Sequence, residues 1–382
     1  MQLLLGLKFL QKPNQITDMR VKKIIIIATR QIGDTLITTP LISAAKNIWP
    51  NAQIDFFGFE NSLSMLSGNP DIHQVIGTKQ RLKFKDYLKQ FFSLFKRYDL
   101  AIITQPSDRA YLYGLVAAKH RVGVIPTEPK LNWWKKKVCL HTVEVDYFHQ
   151  HVITEKIRLL EKFSDDVTLF GKGISVTPPA AAPIPFEISK GLSELFVVIH
   201  PTPLTAYKRW PLANWVQLIE SLPNEYQVVL SGAPITQDRE LNQSIIDLLS
   251  DTARNKILNL DGRLKLDQLG TLLRQAKLYI GVDTSVTHLA AACNTPTITL
   301  FGATPPTNFG PWPNGFIGKQ PYQLKGCIQK VGNVTILQGP GECVPCRKAG
   351  CEDKSDSRSD CLINLPVTQV IEAVRSYGIN CD

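Results

Sequence analysis

The stretch LYIGVDTSVTHLAAACNTPTITLFGATPP, residues 278–306, decides the fold. An apolar run (278–282) leads straight into Asp283-Thr284-Ser285, a small-residue helical pattern covers 285–293, and a second apolar run covers 297–301. Strand, helix and strand in such close succession form a crossover unit whose two strands are parallel. The Asp-Thr-Ser corner then lies at the carboxyl edge of the sheet, where open α/β sheets bind ligands. A helix opening at Ser285 offers free N–H groups and the positive end of its dipole, a ready phosphate site aided by the Thr284 and Ser285 hydroxyls. His288 lies one turn in. The structural alternative makes Asp283 an N-cap and His288 a satisfied buried histidine.

The same alternation runs outward in both directions. In the second half, strands are predicted at 196–200 (FVVIH), 227–231 (QVVLS) and 257–261, with helices at 210–222, 238–249 and 266–277. In the first half, strands are predicted at 23–28 (KIIIIA), 53–59 (QIDFFGF), 74–77, 99–104 (DLAIIT) and 121–124, with helices over 35–48 and 86–96. Apolar runs alternating with amphipathic helices indicate parallel sheets covered on both faces. Residues 171–190 (GKGISVTPPAAAPIPFEISK) lack either periodicity and read as an extended linker. The expectation is an α/β chain of two Rossmann-like domains facing a central cleft. Its parts are a tail at 1–20, an N-terminal domain at 21–180, a C-terminal domain at 181–365, and a helix at 366–382 placed to pack back on the N-terminal domain.

The length of 382 residues suits two cores, and no apolar run reaches the length of a membrane-spanning helix. Residues 1–10 (MQLLLGLKFL) have no basic region ahead and no small-residue cleavage site behind, which reads as a loose tail or weak surface anchor rather than a signal peptide. Met19 stands just before the first strand, so residues 1–18 are expected outside the fold. The net charge of +10 favours anionic partners: nucleic acid, anionic membrane or a phosphorylated substrate. No helix-turn-helix, zinc-finger or RNP motif supports nucleic acid. Cys343, Cys346, Cys351 and Cys361 either supply thiolates to a structural zinc or are free or disulfide-linked thiols.

Three further segments bear chemistry. Residues 30–40 (RQIGDTLITTP) follow the strand KIIIIA, so Asp34 either caps the next helix or points a carboxylate into the cleft as a general base. No GxGxxG is present, which disfavours a dinucleotide enzyme. Residues 200–211 (HPTPLTAYKRWP) set hydroxyls and the adjacent cations Lys208 and Arg209 after a strand, either an anion site or a polar loop. Asp238 and Glu240 open a helix, where they accept from a ribose diol or simply favour the dipole. Outside these, residues 130–137 (KLNWWKKK) read either as a membrane contact made by Trp133, Trp134 and the lysines, or as a solvated charge run beside core tryptophans.

Taken together, GVDTSVTHLAAACNTPTITLFGATPP (281–306), RQIGDTLITTP (30–40) and YKRWP (207–211) resemble glycosyltransferase family nine, the heptosyltransferases, over roughly residues 22–365. The resemblance implies a GT-B fold with acceptor on the N-terminal domain and ADP-heptose on the C-terminal domain. It implies Asp34 as catalytic base and Lys208 as the cation that neutralises donor phosphate, with Thr202 beside it. Asp283, Thr284, Ser285 and His288 match the donor-binding signature, Asp238 the ribose acid with Glu240 as alternative, and Leu264 the adenine pocket. The implied reaction is inverting transfer of heptose to the inner core of lipopolysaccharide, with no metal and no cofactor beyond the ADP-heptose donor. The implied partners are the nucleotide sugar, the core glycolipid and the inner face of the cytoplasmic membrane, where a cytoplasmic protein would act peripherally, and no nucleic acid. The competing readings are a GT-B enzyme for another nucleotide sugar and a non-catalytic nucleotide-sugar binder, against which the retained Asp34 argues.

Overall fold

The computed structural model describes residues 19–381; the tail and anchor expected over residues 1–18 lie outside the described residues. β1 (Lys23–Ala28), β2 (Gln53–Phe59), β3 (Gln74–Thr78), β4 (Tyr98–Ile103), β5 (Ala118–Ile125) and β6 (His141–Glu144) form a parallel sheet in the order β3-β2-β1-β4-β5-β6. β7 (Phe196–His200), β8 (Gln227–Leu230), β9 (Ile257–Asn259), β10 (Leu278–Val282), β11 (Thr297–Phe301), β12 (Ile328–Val331) and β13 (Val334–Gln338) form the second, in the order β12-β13-β11-β10-β7-β8-β9. Only the edge strand β12 runs antiparallel. Each half therefore winds outward from its first strand in both directions, and the order reverses between β1 and β4 and between β7 and β10. Crevices at such reversals are where doubly wound sheets hold ligands.

The strands are near-continuous apolar runs because both faces are covered. In β1, Ile24 and Ile26 face one apolar cluster while Ile25 and Ile27 face another. The first of these clusters continues through Phe196 and Val198 of the second sheet, so the two halves share an apolar seam. The segment 171–190 runs extended as expected until its last turn, a short helix at Phe186–Lys190.

Three expectations change. The helix expected over 35–48 is two, α1 (Ile32–Leu36) and α2 (Thr39–Ile48), the second opening with Pro40 in its first turn, where a missing N–H costs nothing. Strands β6, β12 and β13 were not predicted: β6 (HTVE) and β12 (IQKV) are polar and lack an apolar run, and β13, though wholly buried, lies among glycine-rich turns. The C-terminal helix Val367–Arg375 does not return to the N-terminal domain; Val370, Ile371 and Val374 bury against Trp210 and Trp215 in the core of the second half. The Trp210 indole N–H donates to the Leu365 carbonyl at 3.0 Å and fixes the start of that helix.

Helices α3 (Phe84–Leu94), α4 (Asp108–Ala117) and α5 (Pro129–Val138) lie on one face of the first sheet. In α5, Trp134 packs edge-on to Tyr111, and Lys135 is buried, donating to the Pro106 carbonyl and pairing with Asp108 at 2.8 Å. Those two residues are therefore part of the fold, which leaves Leu131, Trp133 and the outer lysines as the exposed part of KLNWWKKK.

Candidate active site

Asp34 stands in the first turn of α1, directly beyond β1 at the reversal of the first sheet. The N-cap of α1 is Gln31, and no side chain caps it, so the capping role weighed for Asp34 is not realised. The Asp34 carboxylate instead lines a pocket with Arg30, Tyr147, Glu155, Lys156 and Asn308, with the Arg30 guanidinium 4.0 Å away. The backbone beneath it is tied down: the Thr38 hydroxyl donates to the Asp34 carbonyl at 2.6 Å, and the Lys156 ammonium donates to that carbonyl at 3.2 Å and to the Thr38 hydroxyl at 2.8 Å.

Glu155 and Lys156 sit side by side in α6 (Val152–Ile157), a helix in which all six residues are buried. Burial pushes the Glu155 carboxyl up to about 7 and the Lys156 ammonium down to about 8, the latter opposed by the Asp34 and Glu155 charges. Neither was singled out from sequence. The signal was there in VITEKI, an acid–base pair inside an otherwise apolar helix.

Facing α1 across the cleft is the helix Ser285–Ala292, which opens at the end of β10. Thr284 is its N-cap without a side-chain cap bond, so the N–H groups of the first turn are left to the cleft. The two elements approach closely at Gly33, where a methyl group would lie 3.4 Å from the Cβ of Ser285. Gly281, by contrast, is required by packing: the Tyr279 ring crosses it, where any Cβ would clash, to bring its hydroxyl 2.9 Å from that of Thr287.

Lys208, in the loop beyond β7, donates to the Asp283 carboxylate at 2.6 Å, and Thr304 donates to the same carboxylate at 2.7 Å. Burial opposes the Asp283 charge, but Lys208 and these hydrogen bonds outweigh it and hold the carboxyl below its usual range. Burial likewise opposes the Lys208 charge, and Asp283 outweighs it and raises the ammonium above its usual value. His288 is buried, with Nδ1 unpartnered, and desolvation lowers its pKa against the pull of Asp283 and Asp34. Neither half of the structural alternative holds: Asp283 binds Lys208 instead of capping, and His288 is not internally satisfied.

The remaining candidates divide. Asp238 is buried and accepts from the Ala233 N–H at 2.8 Å, which braces the turn after β8, and Thr202 stands beside it. Glu240 lines an open groove with Arg239, Asn259, Asp261 and Arg263. Leu264 is half-buried and packs into the seam cluster rather than lining that groove. Arg209, next to Lys208, has a buried Nε without a partner. Cys343, Cys346, Cys351 and Cys361 are free thiols; burial and the other three thiols push Cys361 up to about 11. Among the described residues, no group of three or more His, Cys, Asp or Glu side chains is arranged to hold a metal ion.

Two doubly wound sheets meeting at their ligand-binding edges, with a carboxylate on one and a cation and free helix terminus on the other, form the GT-B arrangement. The chain belongs to glycosyltransferase family 9, the heptosyltransferases, whose model matches residues 88–323. It is 30% identical to lipopolysaccharide heptosyltransferase 3 of Escherichia coli over 75% of this chain and 85% of that protein. Its fold matches family 9 transferase from Veillonella parvula (TM-score 0.69, 18% identity, 93% of this chain and 97% of that one). It matches ADP-heptose lps heptosyltransferase II of Escherichia coli equally well (TM-score 0.68, 20% identity, 93% and 98%). The chain is thus a glycosyltransferase of the heptosyltransferase family, with the expected GT-B fold.

Proposed function

We propose that this enzyme transfers heptose from ADP-heptose to a sugar hydroxyl of the lipopolysaccharide inner core, with inversion at the anomeric carbon. The names of its relatives support the donor and acceptor classes. The observation that carries the mechanism is the uncapped, cleft-facing Asp34 carboxylate opposite the free N-terminus at Ser285. Asp34 removes the proton from the acceptor hydroxyl as that oxygen attacks the anomeric carbon and ADP departs. Charge growing on the diphosphate is met by Lys208 and by the N–H and hydroxyl groups at Thr284 and Ser285. Asp283 holds Lys208 in place for this, and His288 stands behind the same corner. These fixed positive groups supply what a divalent ion supplies in other transferases, so the reaction as proposed uses no metal and no cofactor. Glu240, rather than Asp238, accepts from the ribose diol. The acceptor is a membrane glycolipid held by the N-terminal domain, which places the enzyme at the inner face of the cytoplasmic membrane.

The test is ADP release from ADP-heptose with heptose-deficient core glycolipid as acceptor. Turnover that disappears in Asp34→Ala while ADP-heptose still binds supports donor and base together. Binding of a different nucleotide sugar in place of ADP-heptose overturns the donor assignment.

A further inference from the structure

We propose that the outer surface of α3, together with the exposed edges of α4 and α5, docks the enzyme on an anionic phospholipid bilayer. Helix α3 carries one apolar face that is wider than the part of it the fold buries. Tyr87, Phe91 and Leu94 pack inward, with the Phe91 ring 5.1 Å from that of Tyr113. Phe84, Leu88 and Phe92, spaced four apart, form the outer flank of that face, followed by Phe95 at the C-cap. They are 75, 40, 78 and 57% exposed. A surface helix ordinarily buries its apolar stripe, and an apolar flank left exposed marks an interaction surface.

The neighbouring helices extend the patch. Leu112 of α4 and Leu131 and Trp133 of α5 are 49, 55 and 57% exposed, and both helices bury their inner faces in the same cluster as α3. The Lys137 ammonium lies 5.1 Å from the Trp133 ring, an arrangement suited to an aromatic side chain at a bilayer interface.

Charge chooses the occupant. Residues 79–97 carry seven lysines and arginines and one carboxylate, Asp86, all of them exposed. A second copy of this chain meeting the surface by two-fold symmetry would set these cations against themselves. Phosphate headgroups complement the cations while the acyl boundary accepts the phenylalanines, as in interfacial helices. The basic loop ahead of α3 is also held in place: the Arg109 guanidinium donates to the carbonyls of Lys79 and Gln80 at 2.8 and 2.7 Å and lies over the Tyr87 ring at 5.2 Å. In a parallel sheet the helices start at the carboxyl edge, so the heads of α3, α4 and α5 share that edge with Asp34. A docked enzyme would keep its cleft beside the membrane surface. This use of the surface rests on the membrane-borne acceptor proposed above.

The experiment is co-sedimentation of the full chain with phosphatidylglycerol-containing vesicles and with pure phosphatidylcholine vesicles. The variants are Phe84→Ser/Phe92→Ser, Lys83→Ala/Lys85→Ala/Lys89→Ala, and a matched control, Phe186→Ser. Phe186 is 74% exposed on a short helix whose Ile188 packs into the seam cluster instead. The wild type binds the anionic vesicles, more weakly as salt screens the headgroups. The double phenylalanine variant loses at least about tenfold in partitioning, the lysine variant loses most of the preference for anionic lipid, and the control binds as wild type. Absence of wild-type binding, equal binding to both vesicle types, or equal effects of Phe84→Ser/Phe92→Ser and Phe186→Ser overturns the proposal. So does self-association abolished by the double variant without vesicle binding. Turnover with deacylated, water-soluble acceptor separates the two readings: it persists in the double variant when only docking is lost, and its absence in the wild type counts against the transfer reaction instead.

Discussion

The Lys208 ammonium and the Asp283 carboxylate meet at 2.6 Å, joining the loop beyond β7 to the end of β10 across the reversal of the second sheet. The pair answers a difficulty present in the sequence, where an aspartate beside a diphosphate site would repel the ligand. Asp283 is turned onto Lys208 and Thr304, so its charge is spent inside the protein and the ammonium is positioned at the mouth of the helix dipole.

Removing the cation should be costly. Lys208→Ala is expected to lower turnover about 10²–10³-fold at saturating ADP-heptose, the range for losing one group that stabilises leaving-group charge. Near-normal turnover in a donor-saturated assay would remove Lys208 from the mechanism.

Lys156 holds the Asp34 carbonyl and the Thr38 hydroxyl. Lys156→Met should reduce kcat about 10–100-fold, because a base displaced by a fraction of an ångström works poorly. ADP-heptose affinity, measured by calorimetry, should be unchanged. Weakened donor binding with intact kcat would place Lys156 on the wrong side of the cleft.

Glu155 makes stability depend on pH. Its carboxyl is raised to about 7 by burial, from an ordinary 4.5, so the native state keeps a proton that the unfolded chain gives up. Its contribution is therefore complete below about pH 4.5 and is lost as pH rises through about 7. Glu155→Gln should melt at a similar temperature to wild type near pH 4.5 and several degrees higher above pH 7, by thermal unfolding. A constant difference across this window would contradict the buried, protonated carboxyl.

Asp238 and Glu240 should separate cleanly. Glu240→Ala is expected to raise the KM for ADP-heptose about tenfold with little change in melting temperature, as loss of a charge-assisted hydrogen bond to ligand would. Asp238→Ala should chiefly lower the melting temperature, since it strands the Ala233 N–H. The opposite pattern would return the ribose to Asp238.

The sequence by itself determined the two parallel α/β halves, the linker between them and the loops that meet in the cleft. Those are local matters: apolar runs that are buried on both faces, glycine and proline at turns, and an acid or cation placed directly after a strand. Tertiary structure decided what each side chain does there. Asp34 is free of capping because the helix breaks before Pro40 and begins at Ile32, and Asp283 is neutralised by a lysine 75 residues away. Asp238 is consumed by a turn, Lys135 and Trp134 by the fold, and the last helix by its own half rather than by the first. Spacing along a chain fixes which edge of a sheet a residue occupies. The partner that satisfies a buried charge comes from whichever element packs opposite, and that is settled only when the two sheets close on each other.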